Sequence, residues 1–167
     1  SVPTNGTVFI ANGGTALVND DRSGGSIGLT FVGQGVGNGG LEVTTGGSLK
    51  LGNLLLGRDT LRAGSLAMSG GTLTLNVLFV GDGRGGAGGT GGTGTATISS
   101  GSSVTVNSQF TIGGDDLATG TVTVDGGSVT STNLIVGDAG AGTLVQNGGT
   151  VTVTGSDVTI ANNSTQN

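Results

Sequence analysis

The chain has 167 residues, of which 39 are glycine and one is proline; 33% are apolar, 2% are aromatic and the formal net charge is −5. It contains no Cys, His, Trp or Tyr, which excludes thiolate and imidazole metal sites, Cys or His catalysis, and the aromatic platforms that grip sugars or bases. Five basic residues against ten acidic ones argue against nucleic acid and anionic membrane surfaces as partners, and no apolar run reaches the length of a membrane span.

Taken along the chain, one marker recurs: a three-residue apolar strand, a small residue, then a turn residue. Its copies are Val8-Phe9-Ile10-Ala11-Asn12, Thr30-Phe31-Val32-Gly33-Gln34, Leu54-Leu55-Leu56-Gly57-Arg58, Leu78-Phe79-Val80-Gly81-Asp82, Phe110-Thr111-Ile112-Gly113-Gly114, Leu134-Ile135-Val136-Gly137-Asp138 and Val158-Thr159-Ile160-Ala161-Asn162. Successive small residues lie 22, 24, 24, 32, 24 and 24 residues apart. The long interval contains the Gly-rich stretch 83–93 and reads as an eight-residue loop extruded from one corner.

Two further alternating strands precede the marker in each period, such as Leu66-Ala67-Met68 and Leu73-Thr74-Leu75, separated by Gly-rich turns. Three short strands in about 24 residues predict a coil with three sides. Period-2 alternation points Leu66, Met68, Leu73, Leu75, Leu78 and Val80 inward and Ala67, Thr74 and Phe79 outward. Burying six such side chains contributes about 1.5–3 kcal/mol each, less than the backbone entropy of ordering the coil. The coils must therefore stack in parallel, hydrogen-bonded at about 4.8 Å. The expected architecture is all-β: one parallel, three-sided β-solenoid of about seven coils spanning residues 1–167, right-handed by analogy with parallel crossovers. Residues 1–5 and 164–167 are expected as flexible or intersubunit tails.

The string from Ile135 to Val153, with Gly137-Asp138-Ala139-Gly140-Ala141-Gly142-Thr143-Leu144 and Asn147-Gly148-Gly149-Thr150-Val151, resembles the autotransporter and PEP-CTERM-associated β-strand repeat of very large bacterial surface proteins. A second copy runs from Phe79-Val80-Gly81-Asp82 to Gly94-Thr95-Ala96-Thr97-Ile98, and the likeness covers most of the chain from about Gly39. It implies a secreted passenger region outside the cell or on the bacterial surface, with adhesion or spacing as its role. Partners implied are other copies of the chain or flanking repeats, with cell-surface or matrix glycans as ligands. No catalytic residue comes with the repeat, and no cofactor or membrane insertion is expected.

Four site readings follow from the residues. The outward positions of the marker strands, Phe9, Phe31, Leu55, Phe79 and Ile135 with Thr111 and Thr159, are expected to form an exposed apolar stripe for lateral packing. The turn column Asn12, Gln34, Arg58, Asp82, Gly114, Asp138 and Asn162 reads as solvated corner chemistry. Asp20-Asp21 and Gly113-Gly114-Asp115-Asp116 are only fragments of a repeat-type calcium pattern. Thr74, Thr105, Thr130 and Thr152 form a file that raises ice binding as an alternative function, with Ala67, Thr97, Thr123 and Val145 taken as the companion column. A carbohydrate-active enzyme would want paired carboxylates and sugar-stacking aromatics; with Glu42 the one glutamate, none is expected.

Two inward positions, Ser131 and Gln146, break the apolar pattern and are expected to bond backbone or water. The matching segments Thr7–Asn12 and Asp157–Asn162 place both ends at the same phase of the repeat. No segment reads as a cap, so open ends are expected to continue into more repeats or to stack head to tail as a fibre.

Overall fold

The structure, a computed structural model, describes residues 6–10, 14–17, 29–32, 38–58, 62–82 and 91–161. Among these are thirteen strands and no helix: β1 (Gly6–Ile10), β2 (Thr15–Leu17), β3 (Leu29–Val32), β4 (Gly39–Thr44), β5 (Ser48–Lys50), β6 (Asn53–Leu56), β7 (Ala63–Ser69), β8 (Gly71–Val80), β9 (Thr93–Ser99), β10 (Ser102–Ile112), β11 (Thr119–Val136), β12 (Ala141–Val153) and β13 (Val158–Ile160). Every strand pairing is parallel.

The pairings sort into three ladders, one for each side of a β-solenoid. The first face stacks β1, β4, β7, β9 and the first parts of β11 and β12. The second stacks β2, β5 and segments of β8, β10, β11 and β12. The third stacks β3, β6, the ends of β8, β10 and β11, and β13. Each face thus carries six rungs among the described residues. The long strands β8, β10, β11 and β12 bend through corners and serve two or three faces.

Inward side chains form columns. On the first face Leu41, Leu66, Ala96, Val122 and Leu144 follow one another, and beside them Val43, Met68, Ile98, Val124 and Gln146. The six side chains expected inward from the Leu66–Val80 period are all buried, while Ala67 is exposed. Ser131 is buried and its hydroxyl donates to the Asn133 carbonyl at 2.7 Å. The Gln146 amide donates to Gly149 O at 3.0 Å. Each polar intruder therefore binds the backbone of its own winding.

The third-face ladder continues past the strand ends into the corner. Gly57 N donates to Val32 O, Gly81 N to Leu56 O and Gly113 N to Val80 O, each at 2.9 Å. Gly57, Gly81, Gly113 and Gly137 hold φ of +65°, +78°, +73° and +72° there, the region where a β-carbon is penalised. That is why the marker residue is small.

The register corrects the sequence reading in three places. Val8-Phe9-Ile10 pairs with Leu41-Glu42-Val43 on the first face, so it is not a marker strand, the two ends are not in phase, and seven windings become six rungs. Alternating apolar residues look alike on all three faces. On the first face Gly6, Gly39, Gly64, Gly94, Gly120 and Gly142 occupy one column two positions before the inward residue, but glycines stand at the same offset before Leu49, Leu73, Val129 and Val151 on the second face, so the pairing register alone separates the faces.

The 32-residue interval is also not one loop of eight. From Gly81 to Gly94 is 13 residues where Gly57 to Gly64 is 7, so six of the extra residues lie between β8 and β9. The other two are single additions: one where β9 turns into β10, and one inside β10, where the register shifts between Val106 and Gln109. Residues 83–90, 1–5 and 164–167 lie outside the described residues.

Candidate functional site

The proposed lateral stripe is not an exposed surface. Phe31, Leu55, Phe79, Thr111, Ile135 and Thr159 do follow one another on the third face, and Phe9 belongs elsewhere. Leu55 is 6% exposed, Phe79 8% and Thr111 0%, with Ile135 half-buried. The corner segment of the following coil packs on the column: a β-carbon on Gly114 would stand 3.2 Å from Phe79 Cδ1. Thr111 accepts a hydrogen bond from Gln109 Nε2 at 2.8 Å. These positions form a second, outer apolar layer. The side chains of Phe9 and Phe31 lie outside the described residues.

Of the turn column, Asn12, Gln34 and Asn162 also lie outside the described residues. Asp82 is fully buried rather than solvated, with its amide donating to Gly57 O at 3.4 Å. Asp20 and Asp21 fall outside the described residues; Asp116 is exposed and Asp115 partly so. Among the described residues, no three His, Cys, Asp or Glu side chains converge as a metal site would require.

From the third rung onward the outward residues of the first and second faces are mostly small or hydroxylic, whereas in the second rung the same columns hold Glu42 and Lys50. On the first face, Ala63, Thr93, Thr119 and Ala141 form one column; Ser65, Thr95, Thr121 and Thr143 the next; Ala67, Thr97, Thr123 and Val145 a third. These twelve positions carry no charge and lie on a net about 4.8 Å by 6.6–6.8 Å, the rung spacing and twice the rise per residue. On the second face Thr74, Thr105, Thr130 and Thr152 run beside Thr72, Ser103, Ser128 and Thr150. The two files paired in the sequence reading thus lie on different faces, and each has its own hydroxyl neighbours. The register, which the sequence left ambiguous, decides this.

The last winding exposes the core end-on. A concavity of about 440 Å³ is lined by Leu134, Val136, Leu144, Gln146, Val151, Val153, Val158 and Ile160. These belong to all three faces of the last two rungs, so the opening is the cross-section of the solenoid itself. Sequence inspection marked Gln146 as irregular without showing that it sits on this surface.

Such a molecule can present flat, repeating surfaces and two unlike ends. In comparisons with known proteins, no family model matches the chain, and neither a curated protein nor a solved structure matches it.

Proposed function

We propose that the chain is a structural and adhesive segment of a bacterial surface protein, a stiff spacer whose flat sides engage other copies, flanking repeats or cell-surface and matrix glycans. The observation that supports it is the parallel ladder on three faces. Each winding is held by its neighbours, so extending the molecule adds length at about 4.8 Å per winding without changing its cross-section. Function then lies in reach and in repeated surface chemistry rather than in catalysis. Immunogold labelling of intact producing cells, together with glycan-array binding by the purified chain, tests this. Surface label and saturable glycan binding are expected; label confined to the cell interior overturns it.

One observation favours a second reading, ice binding. The uncharged Thr net on the first face gives three in-register columns, and a rigid net of alternating methyl and hydroxyl groups suits a ligand that is itself a flat lattice. Without aromatic platforms, crystalline sugar is the poorer match. Thermal hysteresis measured on the purified chain tests it; freezing-point behaviour identical to that of an inert protein rejects it.

A further inference from the structure

Glu42 is the one glutamate of the chain and Lys50 its one lysine, and the register sets both in the second rung, on different sides of the solenoid. Glu42 stands outward on the first face, in the column that continues as Ala67, Thr97 and Thr123. Lys50 stands outward on the second face, in the column that continues as Thr74, Thr105 and Thr130. Lys50 is exposed and Glu42 half-buried. On the columns of these two faces they are the only charges, one negative and one positive at the same height.

We infer that copies of this chain pack side by side, the first face of one against the second face of the next, with their stacks pointing the same way, so that Glu42 of one copy meets Lys50 of its neighbour. The inference rests on the reading that flat sides engage other copies, and it names which sides and in what direction. Charge selects this arrangement from its competitors. First face on first face sets Glu42 against Glu42, and second on second sets Lys50 against Lys50, both repulsive. Reversing one fully overlapped stack sets Glu42 opposite Thr130 and Lys50 opposite Thr123, which leaves each ion desolvated without its partner.

In the favoured arrangement the rungs after the ion pair oppose small residues, Ala67 to Thr74 and Thr97 to Thr105, so two flat sheets can approach to about the 10 Å of packed sheets. Six rungs at about 4.8 Å and a width of about five residues make each side roughly 29 Å by 17 Å, and a contact removes about 1,000 Å² in total, the lower bound for a specific interface. Affinity is therefore modest, and the ion pair mainly sets direction and register. Each copy keeps one of its two faces free, so the contact is heterologous and continues past two copies.

Sedimentation velocity of the 167-residue chain over a range of concentrations tests it. Species growing beyond the dimer and weakened by salt are expected. Glu42→Lys alone and Lys50→Glu alone each bring like charges together and weaken association at least ~10-fold. Mixing the two variants restores it, because contacts between unlike variants pair opposite charges, and so does combining both substitutions in one chain. Circular dichroism verifies that each variant is folded. A monomer at every concentration, association that stops at two copies or ignores both substitutions, or no recovery on mixing overturns the inference. Surface label and glycan binding by a chain that stays monomeric leave the wider surface role standing, so the two readings fail separately.

Discussion

Gly94 packs directly on the corner at Gly81: a β-carbon at Gly94 would overlap the Gly81 nitrogen and press on the Val80 carbonyl carbon. Gly81 itself holds φ +78°. The two glycines are one device, a left-handed corner and the strand start that nests against it, and it recurs as Gly57 with Gly64 and Gly113 with Gly120. Gly81→Ala should cost at least the 1–2 kcal/mol of a left-handed alanine. Gly94→Ala has no rotamer to escape into and should cost above about 4 kcal/mol, the range reserved for core disruption. Urea unfolding midpoints of both variants measure this.

Phe110 is the largest fully buried side chain and stands in register with Thr30, Leu54, Leu78, Leu134 and Val158. The same winding carries Ala96 where neighbours have Leu66 and Val122, so a large residue on one side is matched by a small one on another. Phe110→Ala should cost about 3–5 kcal/mol. Ala96→Leu alone should destabilise by about 1–3 kcal/mol through overpacking, and combined with Phe110→Leu it should recover part of that loss. A double-mutant cycle in denaturant gives the coupling.

Ser131 interrupts an inward column whose other members are Leu75, Val106 and Val153. Its hydroxyl satisfies the Asn133 carbonyl at the bend into the third face. Ser131→Ala should cost about 1–2 kcal/mol because an acceptor is left unpaired. Thermal unfolding of the variant checks the size.

Thr95 and Thr152 are both exposed, on the first and second faces respectively. Replacing either with lysine should move stability by no more than about 0.5 kcal/mol. If the first-face net holds ice, Thr95→Lys removes thermal hysteresis and Thr152→Lys preserves it. Equal loss from both assigns no role to the first face.

Ala161 closes the last winding at φ +56°, where the preceding windings use glycine. Ala161→Gly should stabilise the chain by about 0.5–1 kcal/mol, the relief of left-handed strain exceeding the extra freedom of the unfolded glycine. Differential scanning calorimetry reads it as a rise in the melting temperature.

The three-sided, parallel stack was legible because glycine corners recur at fixed spacing and inward residues alternate cleanly, as in Leu66-Ala67-Met68. The face of Val8-Phe9-Ile10 was not, since an apolar triplet followed by a small residue serves any side, and the glycine two positions before Val8 has counterparts before Leu73 and Val129 on the second face. The outward position of Phe79 followed from alternation, but its burial did not, because alternation says nothing about what folds over a face. For the Thr files, the sequence named two outward columns on successive strands, and only the register shows which hydroxyl columns neighbour each on its own face. The exposure of Val158 and Ile160 depends on their being last in their columns, a property of the register and not of the residues.

The six additional residues after β8 leave every later rung in place: Leu66 still meets Ala96 and Val80 still meets Ile112. The connection from β8 to β9 is therefore a natural graft point, where added length is accepted without a change in the register of the rungs that follow. Diversification of such a molecule then proceeds by ornament rather than by redesign.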